Sequence, residues 1–109
     1  MAYDEGLAQR IRDRLGADPA ATEKRMFGCL VFLHAGNMAV GVIGDELMVR
    51  VGPDAAETAL ARPGTRRFDF TGRPMRGWVV VAASAVSEDA DLDAWIARGH
   101  AFAAGLPPK

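Results

Sequence analysis

"CLVFLHAGNMAVGVIGDELMVRV", residues 29–51, carries the pattern from which the architecture follows. Cys29 to Leu33 is a continuous apolar run, suited to a strand buried on both faces. Ala35-Gly36-Asn37 reads as a turn, after which Met38, Val40 and Val42 alternate with Ala39, Gly41 and Ile43. Gly44-Asp45-Glu46 reads as a second turn. Leu47, Val49 and Val51 share one face of the next strand, with Met48 and Arg50 on the other. Connections this short force antiparallel neighbours, because parallel strands need about a dozen linking residues or more.

Just upstream, Glu23 to Phe27 is polar but strand-like, and Gly28 separates it from the apolar run. Two readings follow: two strands, or one strand bent at Gly28, where a residue without Cβ eases the bend. The bend is the preferred reading. Asp4 to Leu15 forms a helix by its Leu7, Ile11, Leu15 spacing, with Gly16 as its stop. Gly52-Pro53-Asp54 ends the sheet run and opens a short helix to about residue 61, with Ala55, Ala59 and Leu60 facing inward. Arg67 to Phe70 and Trp78 to Ala83 make a hairpin across "TGRPMRG". Leu92, Trp95, Ile96, Gly99, Phe102, Ala103 and Leu106 trace the apolar stripe of a closing helix, and acidic residues crowd its start. The expected fold is therefore α+β, in the order α-β-β-β-β-α-β-β-α. An antiparallel sheet of five to six strands is flanked by N- and C-terminal helices, with a short helix in the middle.

The chain has 109 residues, consistent with a single domain over 1–109, and a net charge of −1. That balance argues against direct nucleic-acid binding, which favours a basic face. The lone cysteine cannot close an internal disulfide, and no apolar run approaches the roughly 20 residues of a membrane span. The expectation is a cytoplasmic protein with no membrane association.

No catalytic pattern emerges, so no enzyme activity is expected. Cys29 sits among Met26, Phe27, Leu30 and Phe32, an apolar setting that keeps a thiol protonated and inert. A cysteine nucleophile needs a histidine base, and only His34 and His100 are on offer. Zinc sites use about four Cys or His ligands in characteristic pairs, and this chain has three such residues, all isolated in sequence. "DADLD", residues 89–93, fails as a calcium loop, since Ala94 and His100 stand where Gly and Glu are required. "GRPMRG", residues 72–77, lacks the Lys and Ser/Thr of a phosphate loop. No cofactor and no metal are expected.

One charge asymmetry stands out. Arg62, Arg66, Arg67, Arg73 and Arg76 lie close together with Phe68, Phe70 and Trp78 interleaved, and only Asp69 opposes them. Arginines there suit bidentate pairing with the carboxylates of a protein partner. The expected contact surface is Arg73, Met75, Arg76 and Trp78, joined by Arg25 and Arg50 if these converge on one edge. A small-molecule pocket lined by apolar strand faces and methionines, seated in a homodimer cleft, is the alternative.

Four segments together carry a family resemblance: "TEKRMFGCLVFL" (22–33), "GNMAVGVIGDELMVRVGPD" (36–54), "ALARPGTRRFDFTGRPMRGWVVV" (59–81) and "LDAWIARGHAFAAGLPP" (92–108). Within them lie an R-M-F-G element, a G-x-M-x-x-G-V strand and an F-x-x-x-G-x-P-M-x-G hairpin. The chain resembles the TfoX N-terminal domain family over nearly its full length. The resemblance implies a compact α+β domain related to regulators of bacterial competence, also called Sxy, which promote transcription together with the cyclic-AMP receptor protein. It implies no catalytic residue set, and it points to a protein partner in the transcription machinery. Two departures are visible: Cys29 replaces a second glycine after Met-Phe-Gly, and the chain ends at Lys109 without the regulators' C-terminal domain. A stand-alone N-terminal domain is expected.

Overall fold

The computed structural model describes residues 3–26, 28–70 and 73–108, except for the side chains at 69, 70 and 73–76. Its elements are α1 (Glu5–Leu15), β1 (Ala21–Met26), β2 (Cys29–His34), β3 (Asn37–Ile43), β4 (Glu46–Arg50), α2 (Ala56–Leu60), β5 (Thr65–Phe70), β6 (Arg73–Val81) and α3 (Asp89–Ala104). A short 3-10 turn, Ala83–Val86, leads into α3. The strands form one antiparallel sheet in the order β1-β2-β3-β4-β6-β5. The α+β class and the element order are those the sequence predicts.

Local chemistry accounts for the helix starts. Asp4 caps α1, its Oδ1 accepting from the Gly6 N–H at 2.8 Å, which satisfies one of the donors a helix start leaves open. Leu7, Ala8 and Ile11 then face inward. In α3 the acidic first turn, Asp89 and Asp91, sits at the positive end of the dipole. Leu92, Trp95, Ile96, Gly99 and Ala103 are the buried stripe.

The sheet has two apolar faces. On the first, Leu30, Phe32, Val40, Val42, Leu47, Val49, Val79 and Val81 pack against α1 and α3 in the main core. On the second, Cys29, Val31, Met48, Phe68, Trp78 and Val80 form a smaller cluster, with Met26, Leu33, Met38 and Ile43 at its border. The period-two alternation of β2, β4 and β6 places their successive residues on opposite faces.

Three expectations need correction. Gly28 does not bend one strand. Met26 pairs with Cys29 and Ala21 with His34, so β1 and β2 are a hairpin. Gly28 takes φ 77°, the left-handed region glycine enters at no steric cost and tight hairpin turns require. Second, Met38 does not share a face with Val40 and Val42. Phe32 pairs with Val40 but Leu33 pairs with Met38, so Ala39 is an extra residue in a bulge. The bulge turns Met38 to the second face. Third, Pro53 to Ala55 form a turn, closed by the Ala55 N–H donating to the Gly52 carbonyl, and α2 starts one residue later. Ala55 is therefore exposed, while Ala59 is buried as expected. Among the described residues, no helix is long and apolar enough to cross a membrane.

Candidate functional site

Where α1, β2 and α3 come together, three polar side chains meet. Asp18 lies in the loop leaving α1, His34 ends β2, and His100 sits late in α3. The loop is held by its own backbone. The Asp18 N–H donates to the Leu15 carbonyl at 3.0 Å, the Ala21 N–H to the Asp18 carbonyl at 3.2 Å, and the Ala35 N–H to the Ala20 carbonyl at 3.0 Å. Asp18 Oδ1 accepts from the Ala20 N–H at 2.9 Å, an aspartate turn of the kind that precedes proline in loops. This bond aims the other oxygen. Asp18 Oδ2 lies 2.6 Å from His34 Nδ1 and 3.1 Å from His100 Nε2. The two imidazoles meet edge to face with centroids 4.8 Å apart.

The hydrogen bond from His34, then that from the Ala20 N–H, hold the Asp18 carboxyl down to about 2. Asp18 is thus anionic near neutral pH and can only accept. The proton in each bond therefore belongs to the imidazole, on Nδ1 of His34 and on Nε2 of His100. The junction joins one fixed negative charge to two imidazole nitrogens that donate to it. Its side chains are 15%, 23% and 36% exposed for Asp18, His34 and His100, so solvent reaches it from one side.

Asp18 also borders two grooves. One, about 320 Å³, runs between α1 and β1 and is lined by Arg12, Leu15, Glu23 and Phe32. The other, about 620 Å³, runs between α1 and α3 and is lined by Arg14, Leu15, Asp93, Ile96 and His100. The cations along these grooves are already engaged. Arg12 forms a two-pronged pair with Glu23 at 2.6 and 3.0 Å. Arg14 pairs with Asp89 at 2.9 Å and with Asp93.

Of the residues expected to form a contact surface, Arg50 lies directly across from Trp78 in the β4–β6 ladder, and Arg25 lies apart from both. Arg25 is exposed on the edge strand β1. Arg50 ends β4, donates to the Met38 carbonyl at 3.4 Å and lies 5.2 Å over the Phe102 ring. Two strands separate them, about 14 Å at the usual strand spacing, so they do not converge. Trp78 is buried on the second sheet face, 6.2 Å from the Phe68 ring, and acts as packing. Arg73, Met75 and Arg76 fall on β6, and their side chains lie outside the described residues. The neighbouring Arg66 and Arg67 are exposed on β5, paired with Glu46 at 2.6 Å and Glu57 at 2.8 Å. Arg62 lies 5.7 Å over the Trp95 ring. Part of the local basic excess is therefore neutralised by acids distant in sequence.

Cys29 is buried in the second-face cluster, and burial pushes its thiol upward. That environment agrees with the inert reading. Both histidines weighed against Cys29 in the sequence instead engage Asp18. A signal for this was present. Leu92, Ile96 and His100 recur every four residues, which puts the imidazole on the inward edge of α3.

A helix-backed antiparallel sheet of this order, with charged edge strands and a polar junction at one corner, defines a small α+β fold. The chain belongs to the TfoX N-terminal domain family, whose family model matches residues 13–103. The matched span includes Asp18, His34, His100 and the whole sheet. No curated protein and no solved structure matches the chain.

Proposed function

We propose that the chain is a non-enzymatic interaction module in transcriptional regulation, working in the cytoplasm on a protein partner. The observation that carries this reading is membership of the TfoX N-terminal domain family, together with the kinship to competence regulators that the resemblance implies. The contact surface in this proposal is the β5–β6 hairpin. Arg66 and Arg67 present guanidinium groups with side chains 56% and 64% exposed. Their bonds to Glu46 and Glu57 are surface pairs of small net worth, so carboxylates of a partner can replace them. Arg73 and Arg76 extend the same hairpin in sequence, and Arg25 stands on the opposite sheet edge as a separate candidate. An acidic protein surface suits this better than nucleic acid, given the net charge of −1.

The test is recovery of partners from a native lysate. Reversal of Arg66, Arg67, Arg73 and Arg76 to glutamate weakens the captured partner by about tenfold or more, or roughly 1.4 kcal/mol. Arg25→Glu serves as the comparison. A partner that stays fully bound after reversal of all four shows that the surface lies elsewhere.

A second reading is favoured by the groove between α1 and α3. Its volume, about 620 Å³, falls within the usual span for small-molecule sites, about 300–1,000 Å³. In that reading the ligand is polar, because Arg14, Asp93 and His100 line the walls.

A further inference from the structure

We infer that Asp18, His34 and His100 form a binding site for a divalent transition-metal ion of the zinc type. The inference does not depend on the proposed function. One donor atom from each residue lies within 4.8 Å of the other two. Around a tetrahedral ion with bonds of about 2.0–2.1 Å, neighbouring donors are about 3.3 Å apart. Here the carboxylate-to-imidazole separations are 2.6 and 3.1 Å, and the third is no more than 4.8 Å. The two carboxylate-to-imidazole distances fall short of the required one by only about 0.7 and about 0.2 Å, so ordinary rotamer adjustment opens the cluster around an ion.

The donor set selects the class of ion. Two imidazoles and one carboxylate suit zinc and its first-row neighbours, whereas magnesium and calcium prefer oxygen throughout. Among the described residues, the arginines beside the junction are already paired. Arg12 is taken by Glu23, and Arg14 by Asp89 and Asp93. The carboxylate is also oriented in advance, because the Ala20 N–H holds Oδ1 and leaves Oδ2 facing the imidazoles. Outer bonds of this kind are what fix ligands at metal centres. The partial exposure of all three side chains leaves the fourth position to water.

Binding is a proton rearrangement with no redox change. In the free protein His34 Nδ1 and His100 Nε2 each carry the proton they donate to Asp18. An ion at those nitrogens requires each ring to be neutral, with its proton on the far nitrogen, and any second ring proton passes to solvent. The rival reading is a hydrogen-bonded staple that never takes an ion.

The test uses the full chain freed of metal with a chelator, then titrated with Zn²⁺ by calorimetry and with Co²⁺ by visible absorption. The expected result is saturable binding of one ion per chain. His34→Gln and His100→Gln should each weaken it by about tenfold or more, the loss typical even of outer-shell partners. Absence of saturable binding, or unchanged affinity in both variants, overturns the site. If the variants do not fold, imidazole NMR of the wild-type chain decides. Zn²⁺ should move the ring resonances of His34 and His100 together, and a titration that leaves either unmoved establishes the staple alone.

Discussion

Phe32→Ala should lower the unfolding free energy by about 3–5 kcal/mol, the usual cost of truncating a fully enclosed aromatic. Phe32 is 2% exposed and lies on the helix-facing side of β2, beside Leu30 and opposite Val40. Lost transfer energy and an unfilled cavity add here, because the strands on either side are locked into the ladder and cannot collapse inward. Small domains carry about 5–15 kcal/mol in total. The variant should therefore lose about a fifth of its stability at least, seen in chemical denaturation as a lowered midpoint at unchanged slope. A loss below about 1 kcal/mol would mean that β2 does not face the helices as described. Phe32 also lines the groove beside Asp18, so its loss should loosen the corner that holds His34.

Gly99→Ala should cost about 2–3 kcal/mol, against the direction of helix propensity. Alanine is better than glycine in a helix interior by about 1 kcal/mol. At this position, however, α3 lies directly on β3. A Cβ on Gly99 would stand 2.4 Å from the Ala39 carbonyl oxygen and 2.7 Å from Val40 Cγ1. The first of these is backbone and cannot rotate away, so the helix must lift off the sheet, and overpacking of this sort costs about 1–3 kcal/mol or more. The contact partner is the bulge residue Ala39, which ties the irregular register of β3 to the seat of α3. Thermal and chemical unfolding of the variant measure the effect. A stabilised Gly99→Ala protein would show that α3 sits further from β3. Because His100 is the next residue, the same variant should also disturb the junction with Asp18.

The contrast between what residues 29–51 disclose and what they conceal is physical. Strand pairing across turns of two or three residues is local, so alternation and turn chemistry specify it, and β2, β3 and β4 follow from the pattern. Gly28 was harder, because glycine serves both bends and tight turns, and β1 offers no apolar alternation to mark it as a separate strand. Its central residues Thr22 to Arg25 are exposed, as suits a sheet edge that must resist pairing with other chains. The bulge at Ala39 has no sequence mark at all, since it is an extra residue between two well-formed stretches. The junction was concealed for a different reason. Asp18, His34 and His100 come from separate elements, with Asp18 and His100 82 positions apart in the chain, and only the packing of α3 across the sheet unites them. Counting cysteine and histidine alone, as the zinc pattern invites, leaves out the aspartate that both histidines share. The arginines show the converse. Their clustering in sequence is plain, but Glu46 and Glu57 approach Arg66 and Arg67 only after folding.

Acid titration of Asp18 in metal-free protein, followed by the NMR shift of its side-chain carboxyl carbon, tests the junction most directly. With His34, Ala20 and His100 all bonded to it, the carboxyl titrates at about 2. Its resonance should therefore hold the ionised position between about pH 5 and pH 3, where an ordinary aspartate, titrating at about 3.9, is half protonated midway. The sign for stability follows: a carboxyl depressed in the folded state contributes fully above about pH 4, and that contribution fades as the pH falls toward about 2. An Asp18 carboxyl half protonated near pH 4 would contradict the junction, and with it the convergence of α1, β2 and α3 on one polar centre.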